Sequence, residues 1–146
     1  MRRKSLNKAA CPIARALDVI GDWWSLLIVR DALRGTTRFG DFHKSLGMSK
    51  NILTRRLRTL TEQKILELVP AADGSAYREY RLTDKGRSLY PVLISLALWG
   101  QDNAPTRGPH SRLVDRANGE PVRAVNVVAS DGRVLQPGET MMVRAG

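Results

Sequence analysis

The residues with the widest chemical reach fall in one short stretch. Between Ser49 and Glu62, in SKNILTRRLRTLTE, Asn51, Thr54, Arg55, Arg58 and Glu62 recur at helical spacing, and so do Leu53, Leu57 and Leu60. At roughly 100° per residue the polar set and the leucines centre on nearly opposite faces. One face can pack on a core while the other points Arg, Asn and Thr outward. Those side chains match base edges in a DNA major groove: Arg suits guanine O6 and N7, Asn suits adenine N6 and N7, and Thr meets a base edge or the thymine methyl. Ser49 and Lys50 stand where a helix N-terminus suits phosphate. A solvated surface face uses the same residue types, so the flanking elements must decide.

Two other residues carry reactive groups. Cys11 stands just before Pro12 at a helix start, where the dipole favours a thiolate, with Arg15 one turn on and Lys8 nearby. It is either a redox sensor or a small, partly buried helix-start residue. Being the only cysteine, it could form only an intersubunit disulfide, and its solitude fits a reducing cytoplasm. His43 suits a phosphate contact or a plain surface position. There is no Ser-His-Asp order, HExxH, P-loop or GxGxxG, so no enzyme is expected. A zinc site needs about four thiolate or imidazole ligands, and only Cys11 and His110 are candidates, in different segments. No metal and no cofactor are expected.

The charge balance points to the same stretch. The formal net charge is +10, which favours a polyanionic partner. Residues 1–64 hold 14 Lys/Arg against 5 Asp/Glu, whereas residues 65–146 hold 10 against 9. No apolar run nears the roughly 18–20 residues of a membrane span, and MRRKSLNKAA leads into no hydrophobic signal segment. A cytoplasmic protein is expected. With 146 residues, 42% of them hydrophobic, the chain can build one ordinary core and a small appendage.

The elements that would position these residues follow in order. Residues 1–10 read as a flexible basic arm. Pro12 opens a helix carrying Ile13, Ala16, Leu17 and Ile20, which Gly21 ends. Asp22 caps WWSLLIVRDALRG, with Trp24, Leu27, Ile28 and Leu33 facing inward. Thr36–Phe39 is short and β-prone. GDFHKSLG is a short helix with Phe42 and Leu46 inward and Gly47 as its stop, and Ser49 caps the two-faced helix. Two helices about a Gly-containing turn make a helix-turn-helix whose second helix reads DNA. Residues 65–69 and 77–82 are strand-like about Asp73-Gly74 turn chemistry. This basic hairpin would be a wing, with Arg78, Arg81 and Arg38 as backbone or minor-groove contacts. Thr83-Asp84 caps a helix running to about Asn103, with Pro91 weakening or kinking its first half. Leu89, Leu93, Leu96 and Trp99 form its stripe. It is apolar around so much of its girth that a second subunit is expected to cover it. Residues 104–112 are a linker, and residues 113–146 a small β-hairpin appendage of three or four strands. The fold class is therefore α+β. Trp23 and Trp24 are core or subunit-contact residues, or else line an apolar effector cavity together with Tyr90 and Trp99.

Residues 11–103 resemble the HxlR family of bacterial winged helix-turn-helix regulators, related to the MarR group. The resemblance rests on CPIARALDVIGDWWSLLIVRDALRG (11–35), TTRFGDFHKSLGMSKNILTRRLRTL (36–60) and YREYRLTDKGRSLYPVLISLALWG (77–100). It implies a homodimer through the first and last helices, Ile13 and Leu17 included, with two reader helices on a palindromic operator. It also implies that a cysteine matching Cys11 senses oxidants or electrophiles such as quinones in several relatives. The tail is similar to one in which paired cysteines build a zinc-ribbon-like pair of hairpins. Here those turns read Arg116-Ala117-Asn118-Gly119 and Ala129-Ser130-Asp131-Gly132, without cysteine. The expected function is a sequence-specific, dimeric transcriptional regulator, a repressor being the commoner kind. The rivals are a nonspecific architectural DNA-binding protein and a small-molecule sensor.

Overall fold

The computed structural model describes residues 3–146 as two compact units, divided between Tyr90 and Pro91. Met1 and Arg2 of the expected arm lie outside the described residues. The rest of that arm is tied down on the first helix, α1 (Pro12–Ile20). The Ser5 hydroxyl and Leu6 N–H donate to Asp18 at 3.1 and 2.7 Å, and Arg15 donates to the Ala9 and Ala10 carbonyls at 2.7 and 2.8 Å. Helix α2 (Trp23–Leu33) starts at Asp22, whose carboxylate accepts from the Ser25 N–H and hydroxyl. Leu33, expected inward, is the last residue of α2 and is exposed.

Thr36–Phe39 forms no strand. Its β character reduces to one bond, from the Tyr80 N–H to the Thr37 carbonyl at 2.8 Å, because the chain turns at once into α3 (Phe39–Leu46). Gly47 ends α3 in the left-handed region, at φ 64°, which a side chain would disfavour. Met48 is buried, and the Ser49 hydroxyl then accepts from the Ile52 N–H, starting α4 (Lys50–Glu62). Helix α4 packs against α2, α3 and the first strand, β1 (Leu66–Pro70). Leu53, Leu57 and Leu60 have no exposed surface, and they share the core with Ile28, Val29 and Phe42.

Strand β1 pairs antiparallel with β2 (Arg78–Leu82), in the register Leu66 opposite Leu82 through Pro70 opposite Arg78. Phe42 meets Tyr80 of β2 edge to face, ring centroids 6.5 Å apart. The single helix expected from Asp84 to Asn103 is two: α5 (Asp84–Arg87), capped by Thr83, and α6 (Tyr90–Asn103). Pro91 explains the break. It has no N–H and would clash with the carbonyl of Arg87 four residues back, so the helix restarts with Pro91 in its first turn. Leu89 therefore belongs to the break and not to the α6 stripe.

In the second unit, α6 has no buried residue although most of its side chains are apolar. Beyond it lie a single bridge between Val114 and Pro121 and the two-residue strands β3 (Val127–Val128) and β4 (Val134–Leu135). That is less sheet than expected, since Pro121, Pro137 and the glycines of the turns leave little chain free to pair.

Gly86 of α5 is held by proximity: a Cβ there would stand 2.2 Å from the Ile65 carbonyl oxygen and 2.8 Å from Leu82 Cδ2. Gly86→Ala is expected to destabilise the chain by about 1–3 kcal/mol, the usual cost of overpacking, in urea or thermal denaturation. Unchanged stability would mean that α5 can move off Ile65 and β2 freely.

Candidate nucleic-acid interface

The buried leucines fix which side of α4 faces outward. Asn51, Thr54, Arg55 and Arg58 all lie exposed on that side, with Lys50 at its start. Among the described residues, Lys50, Asn51, Arg55 and Arg58 make no side-chain hydrogen bond or ion pair. Thr54 is partly engaged, its hydroxyl donating to the Lys50 carbonyl at 2.8 Å, which leaves its methyl and lone pairs available. Ser49 is used as the cap. Arg56 takes another part: its Nε lies 3.4 Å from Asp22 Oδ2, so it ties α4 to the start of α2.

The wing cations are more engaged than the sequence suggested. Arg78 donates to the Leu68 carbonyl across the hairpin at 3.3 Å. Arg81 pairs with Glu79 at 3.3 Å. Arg38, at the N-cap of α3, pairs with Asp73 in the hairpin turn, stands 4.0 Å from Glu79 Oε1 and lies over the Tyr77 ring at 5.4 Å. Glu79 is buried, and its Oε1 also accepts from the Ala72 N–H at 3.3 Å. Sequence reasoning missed Asp22, Arg56, Asp73 and Glu79. Asp22 and Asp73 were legible as a cap and a turn residue, but nothing in the spacing showed that each also holds a distant arginine.

The carboxyl of Asp73 is held down to about 2. Ser75 contributes most to this. Its hydroxyl points in without meeting hydrogen-bond geometry, so the firm part is its backbone N–H, which donates to Oδ1 at 2.9 Å. Arg38 adds to the same effect, and its own pKa is raised in return, chiefly by its bond to Asp73.

The remaining expected site residues lie elsewhere. Cys11 is exposed at the N-cap of α1, and Ile13 and Leu17 of α1 are exposed too. On α6, Leu93 is half-buried and Leu96 exposed. Trp23 is 74% exposed and meets the half-buried Trp24 edge to face, centroids 6.3 Å apart. Tyr90 and Trp99 are exposed on α6. The first unit does hold an open cleft, but Trp23 and Trp24 do not line it; Ala32, Leu33, Thr36, Tyr80 and Leu82 do, with Arg81 and Arg87 at its rim. The described residues hold no group of three or more His, Cys, Asp or Glu placed for a metal.

Comparison with known proteins fits this geometry. Residues 19–107 match the family model described as HxlR-like helix-turn-helix. The HTH-type transcriptional regulator Rv3095 of Mycobacterium tuberculosis is 35% identical over 134 positions, covering 82% of this chain and 85% of that one. The crystal structure of PA1607, described as a candidate transcription factor, superposes with a TM-score of 0.87 at 52% identity, over 96% of this chain and 99% of that one. The redox regulator HypR in its reduced form gives a TM-score of 0.57 at 28% identity, over 64% of this chain and 94% of that one.

One prediction concerns Asp73. Because the Ser75 N–H also depresses its pKa, Arg38→Gln should raise the Asp73 pKa yet leave it below the ordinary 3.8. A folded pKa below the unfolded one stabilises above the unfolded value and is lost as pH falls through the folded value. The contribution of this contact is thus complete above about pH 4 and fades toward pH 2. Carboxyl titration by NMR reads it, and an unshifted Asp73 in the variant would contradict the pairing.

Proposed function

The chain belongs to the HxlR-like helix-turn-helix family of transcriptional regulators, and on that premise we propose that it is a sequence-specific regulator that binds a palindromic operator as a homodimer. The observation that carries the reading is α4: three fully buried leucines on one side and exposed Asn51, Thr54, Arg55 and Arg58 on the other. Those four are the base readers. Lys50, together with the dipole at the N-terminus of α4, anchors phosphate, and Arg78 on the hairpin reaches the backbone or minor groove.

Dimerisation is supported by α1, whose Ile13 is 59% exposed, and by α6, whose Trp99 is 64% exposed. Apolar surface on that scale calls for a partner, and a second copy supplies one with the two-fold symmetry that suits paired major grooves. Repression follows when such a dimer covers a promoter, and the place of action is the bacterial chromosome in the cytoplasm. Cys11, exposed at a helix start and set in a chain similar to a redox regulator, is the proposed point at which an oxidant or electrophile loosens DNA binding. A small molecule lodged near Trp23, Trp24, Tyr90 or Trp99 would act by shifting the spacing of the two reader helices.

Substitutions separate readers from anchors. Arg55→Ala or Arg58→Ala should cost about 1–3 kcal/mol on the preferred site and little on unrelated DNA. Lys50→Ala should weaken binding to every duplex and lower the slope of log K against log salt by about 0.9. Equal effects of both kinds on all sequences would favour a nonspecific architectural protein instead. For the sensor, a parent that loses DNA affinity on diamide treatment beside an unresponsive Cys11→Ser supports Cys11, whereas equal responses remove it.

A further inference from the structure

Arg38 reads from sequence as a wing-side DNA contact, but its guanidinium is already engaged by the chain's own groups. Asp73 takes Nη2, Glu79 stands 4.0 Å away, and the Tyr77 ring lies beneath at 5.4 Å. Glu79 in turn holds Arg81 at 3.3 Å and the Ala72 N–H at 3.3 Å. The cluster therefore sets two arginines against two carboxylates, and its charge sums to nothing that would draw phosphate. It also joins two places far apart in the chain: Arg38 caps α3, whereas Asp73, Tyr77 and Glu79 lie in or beside the hairpin turn. Among the described residues, one backbone bond supports that junction from the loop before α3, from the Tyr80 N–H to the Thr37 carbonyl.

We propose that Arg38 is a positioning residue that affects DNA only through the wing, by clamping the hairpin tip to the start of α3 through Asp73 and Glu79. The clamp fixes where Arg78 stands relative to α4, so that phosphate contacts from hairpin and reader form together. The inference rests on the DNA-binding reading of the preceding subsection.

The test uses Arg38→Gln, Asp73→Asn and the double variant, with affinity for a mixed-sequence duplex measured at several salt concentrations. In Asp73→Asn the side-chain amide oxygen can still accept the Ser75 N–H, so the substitution removes the charge and keeps the turn. It also makes the protein one charge more positive, which by itself would tighten DNA binding. The clamp predicts the opposite: each single variant weakens binding about three-fold, the scale of an exposed ion pair, with equal changes in salt slope, and the double variant is no worse than either single one. Faster amide exchange at Ala71 and Gly74 in the free variants, with only a small drop in melting temperature, is the accompanying signature. If Asp73→Asn binds as well as or better than the parent while Arg38→Gln alone weakens binding, Arg38 is a phosphate contact and the proposal is overturned. Additive losses, or no loss in either variant, overturn it as well. A parent chain that binds no duplex at all overturns the DNA reading itself, a result distinct from any of these.

Discussion

The roll of α4 about its own axis is the constraint on which everything else depends. Leu53, Leu57 and Leu60 are fully buried against a core that includes Ile28, Val29 and Phe42. Removing one such leucine side chain typically costs about 2–5 kcal/mol, so the helix cannot turn to bury its polar side without losing much of a small domain's stability. With the roll fixed, the outward positions of Asn51, Thr54, Arg55 and Arg58 are fixed as well. The left-handed Gly47 and the Ser49 cap set where the helix starts. Packing thus decides which residues of α4 face outward, before any electrostatics enters.

Electrostatics then sorts the cations into two groups. Arg56 and Arg38 face carboxylates of the same chain, Asp22 and Asp73, and each links elements that are distant in sequence. Lys50, Arg55 and Arg58 lie exposed on α4. A cation already held by a carboxylate has little left to gain from phosphate, whereas an exposed unpaired one releases counterions when it meets DNA. The formal charge of +10 therefore does not say which groups are available to DNA, and their position matters more than the total.

Much of this was legible in the sequence. The two-faced helix, the Gly47 stop, the Ser49 and Asp22 caps and the Asp73-Gly74 hairpin each rest on local chemistry, and each appears where local chemistry puts it. Other features depend on tertiary neighbours and were not legible. Thr36–Phe39 has strand-forming residues but no room for a strand before α3. Pro91 suggests a kink within one helix and instead divides it, because its ring and missing N–H end the first piece before Tyr90. The partners of Arg38 and Arg56 lie 35 and 34 positions away in sequence, a distance that spacing rules do not address. The apolar breadth of α6 was plain from sequence. In the single chain it leaves the helix with no buried residue, which is the observation behind the proposed dimer.

That half-site logic is open to one direct measurement: selection of bound duplexes from a random DNA pool, followed by the stoichiometry of the recovered complex. The account predicts an inverted repeat with half-sites about one helical turn apart, bound by two chains. Recovery of unenriched sequence, or of a single asymmetric site holding one chain, would contradict it.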